Sequence, residues 1–221
     1  MNIFKYRNLS IYVSTIIIVA LFSVQSILAE DKDFLYQKGV KLISEKQYEA
    51  ARLVLRQYIQ SDTLNANVFF DLGYCDECRG KYNDAMISYL NCLNLSKLYC
   101  LDSSVLRLNM ANCLVHLKQF KEADFNYKRA LEIDPKYNLA RFNQARLYLF
   151  LNNYKAALDS FSQCQFDGYT NEWLGYFQAF CLYKLNRRDL ALDKLKSLNN
   201  TPNNDVALYC QRLLNQINVA F

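Results

Sequence analysis

The stretch KQFKEADFNYKRALEIDPKYN, residues 118–138, decides how the chain is read. Phe120, Ala123, Tyr127 and Ala130 return at intervals of three and four residues, the period of one face of an α-helix. Asp134-Pro135 then closes the run, because proline cannot continue a helix and biases the residue before it away from helical backbone. An amphipathic stripe of this length cannot cover its own apolar face. It needs similar stripes before and after it.

Working outward from Ala123, small residues recur at Ala51, Ala85, Ala157 and Ala191, so the series advances by 34, 38, 34 and 34 residues. Gly39, Gly73, Ala111, Ala145 and Ala179 form a second series, 12 residues ahead of the first, with the same intervals. Large side chains keep the same step. Tyr48, Tyr82, Phe120 and Tyr154 lie nine places after the second series, and Leu55, Tyr89, Tyr127, Phe161 and Leu195 lie sixteen places after it. Small residues let two antiparallel helices approach closely, and the large ones fill the space between one hairpin and the next.

A helix–turn–helix unit of about 34 residues is the period of the tetratricopeptide repeat. On these residues the chain resembles the tetratricopeptide repeat (TPR) family from about residue 32 to 205. The resemblance implies an all-α fold, a right-handed α-solenoid of five TPR-like units at 32–65, 66–99, 104–137, 138–171 and 172–205. Pro135 alone stands at the family's closing position; Thr63, Lys97, Tyr169 and Asn203 replace it elsewhere. Asp76 replaces a large apolar residue and Arg188 an aromatic, which is expected to weaken packing in the second and fifth units. The four extra residues between units two and three fall in LNLSKLYCLDSS (93–104), and are expected to lengthen a helix or bulge as a loop. Residues 206–221 carry an apolar stripe at Ala207, Cys210, Leu214 and Ile217, and a stack needs a lid on its last hairpin, so a C-terminal capping helix is expected.

Composition agrees with long helices. Of 221 residues 52% are hydrophobic, enough for one sizeable domain, while 5 Gly and 2 Pro are too few for the turns of a β-sandwich. The formal charge is +5, and setting aside Lys5 and Arg7 leaves +3, too small and scattered for a nucleic-acid surface. Those two cations precede an apolar run from Leu9 to Leu28, which gives way to small and charged residues in SILAEDKD (26–33). That order describes a secretory signal cut after Ala29, residues 1–29, or an uncleaved N-terminal anchor. Either reading places the rest of the chain outside the cytoplasm, in the periplasm or secreted, with membrane contact only through that segment.

Eight cysteines in an exported chain raise the question of disulfides. Cys92 and Cys164 share one register position, where unit three has Ala130. Cys113 and Cys181 share another, two places after their unit's first small residue. Two bridges, Cys92–Cys113 and Cys164–Cys181, are therefore candidates; the alternative is that cysteine substitutes for alanine at tight packing sites. Cys75-x-x-Cys78 has neither the second pair of a zinc site nor a thioredoxin-like context, so a redox or metal role there is the lesser reading. There is no phosphate-cradling glycine loop, no dinucleotide fingerprint and no His-Glu-x-x-His, and His116 is the only histidine. No cofactor, no metal and no enzymatic activity are expected.

The resemblance implies that one face of each unit's first helix lines a concave surface. In the first two units that face presents Tyr36 and Val40, then Phe70 and Tyr74. In the third it presents Leu108, Asn112, Val115 and His116, and in the fourth Phe142, Arg146, Leu149 and Phe150. The fifth contributes Trp173, Tyr176, Phe180 and Tyr183. A solvated face would show Lys, Glu, Asp and Gln instead. The basic clamp of chaperone-binding TPR domains is missing. The expected function is an exported adaptor that binds an apolar or amphipathic segment of a protein partner. A self-associating scaffold of the cell envelope, and burial of the face within the molecule, remain alternatives.

Overall fold

The computed structural model describes residues 32–61, 64–98, 102–198 and 202–219. The expected signal or anchor, residues 1–29, lies outside the described residues. All regular structure among them is helical, and none of their helices is long and apolar enough to cross a membrane. The chain divides into two compact units, the first ending at Tyr99 and the second beginning at Cys100.

The N-terminal unit holds two hairpins. α1 (residues 32–44) pairs with α2 (Tyr48–Ser61), and α3 (Ala66–Cys78) with α4 (Tyr82–Leu98). Its core is built on Ala51, Leu55, Tyr58, Val68, Leu72 and Cys75. The role assigned to small residues is visible at Gly39, where a Cβ would lie 2.5 Å from the Leu55 side chain. The four-residue insertion lengthens helix α4, whose 17 residues compare with 14 in α2.

The C-terminal unit holds three hairpins and a last helix. These are α5 (Ser104–His116) with α6 (Phe120–Ile133), α7 (Asn138–Phe150) with α8 (Tyr154–Phe166), and α9 (Leu174–Lys184) with α10 (Arg188–Lys196), followed by α11 (Asn204–Val219). Ala145, Ala157, Phe161, Cys164 and Cys181 form one core, and Ala179, Ala191, Leu195 and residues of α11 form the next. The lid is present, but its buried stripe is Val206, Cys210, Leu213 and Ile217. Ala207 and Leu214 are only partly buried, so the stripe expected from sequence stood one residue out of register at two of its four positions.

A third periodic series emerges in the turns. Lys46, Gly80, Lys118, Asn152 and Asn186 all have positive φ, at 59, 72, 60, 59 and 58°, and repeat the intervals of the small residues. Each ends the first helix of its hairpin in left-handed backbone, which lets two amides turn back onto orphan carbonyls. At Lys118 the N–H donates to Val115 O (3.0 Å) and that of Gln119 to Leu114 O (2.8 Å). At Asn186 and Arg187 the acceptors are Tyr183 O (3.0 Å) and Leu182 O (2.9 Å).

The two departures expected to weaken packing each find a polar partner. Asp76 is buried, and Arg52 Nε (2.9 Å) and Arg79 Nη1 (2.8 Å) both pair with its Oδ1, so a fixed ion cluster replaces the apolar side chain. Arg188 Nη2 donates to Ile217 O (2.7 Å), one of the last carbonyls of α11, and fastens the lid where an aromatic would have packed.

The candidate pairs Cys92–Cys113 and Cys164–Cys181 are not disulfide-bonded in the structure. All four side chains are buried, as are Cys75 and Cys210. They fill small-residue sites as soft apolar side chains. Cys164 and Cys181 share one core without a bond between them. Burial pushes the Cys164 thiol up to about 11 and the Cys181 thiol up to about 12, so neither is a ready thiolate.

Candidate functional site

The C-terminal unit carries an open cleft of about 550 Å3. Phe142, Arg146 and Leu149 enter it from α7, and Tyr176, Phe177 and Phe180 from α9. Asn171 and Trp173 come from the turn before α9, and Tyr209 from the lid. Trp173 stands at the helix N-cap with φ −82° and ψ −12°, so its backbone is already helical and its ring keeps the spacing expected from α9. Asn171 Oδ1 accepts from the Trp173 N–H (3.0 Å) and fixes that entry.

The rings form a connected set. Trp173 lies nearly parallel to Phe177 (centroids 5.9 Å, 26°) and edge-on to Tyr209 (5.3 Å, 72°). Tyr176 meets Tyr209 edge-on at 5.7 Å and Phe180 at 6.3 Å. Beneath them, Phe177 stacks on the fully buried Phe161 at 5.4 Å and contacts Phe142 at 6.0 Å. Burial raises the Tyr176 phenol above its ordinary range, so it stays a neutral hydrogen-bonding group. Lys184 Nζ sits 5.4 Å from the Phe180 ring and Arg212 5.6 Å from the Tyr209 ring. Among the described residues the lining has rings to receive apolar groups and one cation, and no His, Cys, Ser, Lys or carboxylate.

The sequence-expected residues divide sharply. Phe142, Arg146, Trp173, Tyr176 and Phe180, with Leu149, do meet in this cleft. Leu108 does not: it is 2% exposed, a core residue of its hairpin. Phe142 is 5% exposed and forms the cleft floor rather than an open wall. Asn112 is a tie between hairpins, its Oδ1 accepting from Tyr127 Oη (2.8 Å) and Asn143 Nδ2 (3.2 Å). His116, exposed at the end of α5, and Phe150, packed on Phe120 at 5.2 Å, do not line the cleft. Tyr183 stands beside it, with Lys184 over its ring at 5.9 Å. Tyr36, Phe70 and Tyr74 belong to the N-terminal unit and pack there on Tyr58, Tyr89 and Tyr48.

Sequence reading missed Asn171, Phe177 and Tyr209. Phe177 directly follows Tyr176 and was hidden by the assignment of that side of α9 to packing. Tyr209 immediately precedes Cys210 of the lid's buried stripe, and a lid read only as a cover offers no reason to select it.

A second concavity of about 710 Å3 is lined by Gln165, Asn171, Glu172, Gln178 and Lys194 together with Tyr169, Leu174 and Leu198. The buried Gln178 donates through Nε2 to Gln165 Oε1 (3.0 Å), and Lys194 Nζ donates to the same oxygen (3.0 Å). Burial holds the Lys194 amine below its ordinary value. Among the described residues no group of three His, Cys, Asp or Glu could hold a metal ion, and Cys75 and Cys78 are free thiols.

The tetratricopeptide repeat family model matches residues 106–137 and 140–165, the third unit and much of the fourth. Among curated proteins none is significantly similar in sequence. Solved structures share the fold. YrrB, described as a TPR protein with an unusual peptide-binding site, is 19% identical over 80% of this chain and 90% of its own, with a TM-score of 0.67. MamA is 15% identical over 77% of this chain and 91% of its own, with a TM-score of 0.69. A tetratricopeptide repeat protein from Parabacteroides merdae ATCC 43184 is 18% identical over 85% and 73%, with a TM-score of 0.74. Residues 106–137 and 140–165 thus match the tetratricopeptide repeat, and they sit in an all-helical array of hairpins whose fold is shared with solved tetratricopeptide repeat structures.

Proposed function

We propose that the protein is a non-catalytic adaptor that holds an apolar or amphipathic segment of a partner protein in the cleft between α7, α9 and α11. The observation that carries this reading is the set of half-buried rings Trp173, Tyr176 and Phe180, with the more exposed Tyr209, facing one concavity. Clustered aromatic side chains in a desolvated hollow supply most of the binding energy of many interfaces, and a helix or strand laid across them is held through its apolar face. The description of YrrB as a peptide-binding TPR protein is consistent with such a use of the fold. The order of charge and apolarity over residues 5–33 supports work outside the cytoplasm.

The test is capture of partner protein from the native host by wild type and by Tyr209→Ala, Phe180→Ala and Trp173→Ala. Each substitution is expected to weaken capture by about 1–3 kcal/mol. Trp173 also packs against both C-terminal cores, so its variant is expected to lower the melting temperature, whereas Tyr209, 42% exposed, loses little. Undiminished capture by folded Tyr209→Ala and Phe180→Ala would refute the adaptor reading. A self-associating scaffold has its own support in the exposed rings of Phe150 (68%) and Phe166 (87%), and would show as oligomers that disperse on dilution.

A further inference from the structure

Three cations stand at the cleft, and the nearby carboxylate of Glu172, between the lining residues Asn171 and Trp173, is turned to Asn203 Nδ2. Among the described residues, Arg146 is the only formally charged one in the lining. Lys184 lies over Phe180 and Arg212 over Tyr209, each ring being part of the lining. Among the described residues none of these three cations makes an ion pair. All three are exposed, whereas the buried Arg107 and the half-buried Arg141 of the same unit are matched, with Asp102 at 2.7 Å and with Asp167 at 2.9 Å. A cation resting on a ring face is held in place and partly dehydrated, while its outer side stays open to an anion.

We infer that the partner segment is acidic, with apolar side chains entering among Trp173, Tyr176 and Tyr209 and flanking carboxylates meeting Arg146, Lys184 and Arg212. The inference rests on the cleft being the docking site. Rings alone would accept any apolar peptide; the three unpaired cations discriminate. A basic segment would bring like charges together beside the rings, and an acidic one supplies counter-charges.

Two labelled peptides of about 12 residues separate this inference from the reading beneath it. Both carry a Leu-x-x-Phe-Leu core; the remaining positions are Asp or Glu in one and Lys in the other. Fluorescence anisotropy with the full chain should show the acidic peptide binding at least about tenfold more tightly at about 50 mM salt, with the gap narrowing at about 500 mM. The triple variant Arg146→Gln, Lys184→Gln, Arg212→Gln should abolish the preference at an unchanged melting temperature, and Tyr209→Ala should weaken both peptides. Equal binding, a reversed preference, or a preference surviving in the triple variant overturns the acidic partner and leaves the cleft reading standing. Failure of both peptides to bind at about 1 mM overturns both. Oligomers that exclude the peptides and disperse in Tyr209→Ala would make the occupant a second copy of the chain, which also overturns the inference.

Discussion

Gly73 approaches the ring of Tyr89 so closely that a Cβ built on it would lie 2.5 Å from both Cδ1 and Cε1. Tyr89 is fully buried, its hydroxyl donates to Glu77 Oε2 (2.6 Å), and its ring rests on Phe70. The ring has nowhere to retreat. Gly73→Ala is therefore expected to destabilise the protein by about 1–3 kcal/mol despite the better helix propensity of alanine. Urea unfolding measures it, and an unchanged midpoint would show that the hairpin can open to admit a methyl group.

The turn residues predict the opposite sign. Lys118 sits at φ 60°, where a side chain costs about 1–2 kcal/mol and glycine costs nothing. Glycine also gains freedom in the unfolded chain, which returns about 0.4–1 kcal/mol of that. Lys118→Gly is expected to raise stability by about 0.5–1 kcal/mol. Thermal unfolding should show the rise, and a lower melting temperature would mean the lysine is not strained.

These two positions show what was legible in the sequence. The small-residue series survived because close packing removes side chains, and removal leaves a mark in composition: Gly39, Gly73 and the alanines. The left-handed turns left a weaker mark, since Lys, Asn and Gly all accept that backbone and no single letter repeats. Asp76 and Arg188 read as flaws because two of their partners, Arg52 and the Ile217 carbonyl, are distant in sequence and the second is main chain; only Arg79 stands close by, three residues after Asp76. In the cleft, residues on α7 and α9 followed from the repeat period. Tyr209 lies beyond the last repeat, where periodicity gives no guidance. Leu108 shows the reverse error, an apolar residue assigned to an open face that its neighbours cover.

Stability should carry a signature between about pH 4 and 6 from Asp71. Burial pushes this carboxyl up to about 6, although a hydrogen bond with Tyr36 pulls the other way. An unfolded aspartate titrates near 4. Between those values the folded state binds the extra proton, so this group's contribution falls as pH rises from about 4 to 6. Asp102 shifts in the other sense: burial raises it, but hydrogen bonds and charge from Arg107 leave it below its ordinary range, so its contribution is lost only under more acid conditions. Asp71→Asn should flatten the pH dependence of the urea midpoint in that window. An identical slope in the variant would assign the effect elsewhere.

Thiol labelling gives a graded expectation. Of the seven described cysteines Cys78 alone is exposed, and it should react first with iodoacetamide. Cys75 and Cys181, both pushed up to about 12 by burial, should stay unlabelled until the protein unfolds. Mass mapping of native material that found Cys92 bonded to Cys113, or Cys164 to Cys181, would contradict the free thiols of the structure.

Arrays of repeats ordinarily change length by gaining or losing whole units, because each unit touches only its neighbours. This chain has closed that route at its C-terminal end. α11 supplies Tyr209 to the cleft and is fastened to the fifth hairpin through Arg188 and Ile217. A sixth hairpin inserted before Asn204 would leave every existing hairpin intact and still erase the site, by carrying Tyr209 away from Trp173 and Tyr176. If the cleft is the docking site, the last hairpin, α11 and partner binding are coupled, and a hairpin inserted before Asn204 would alter all three together.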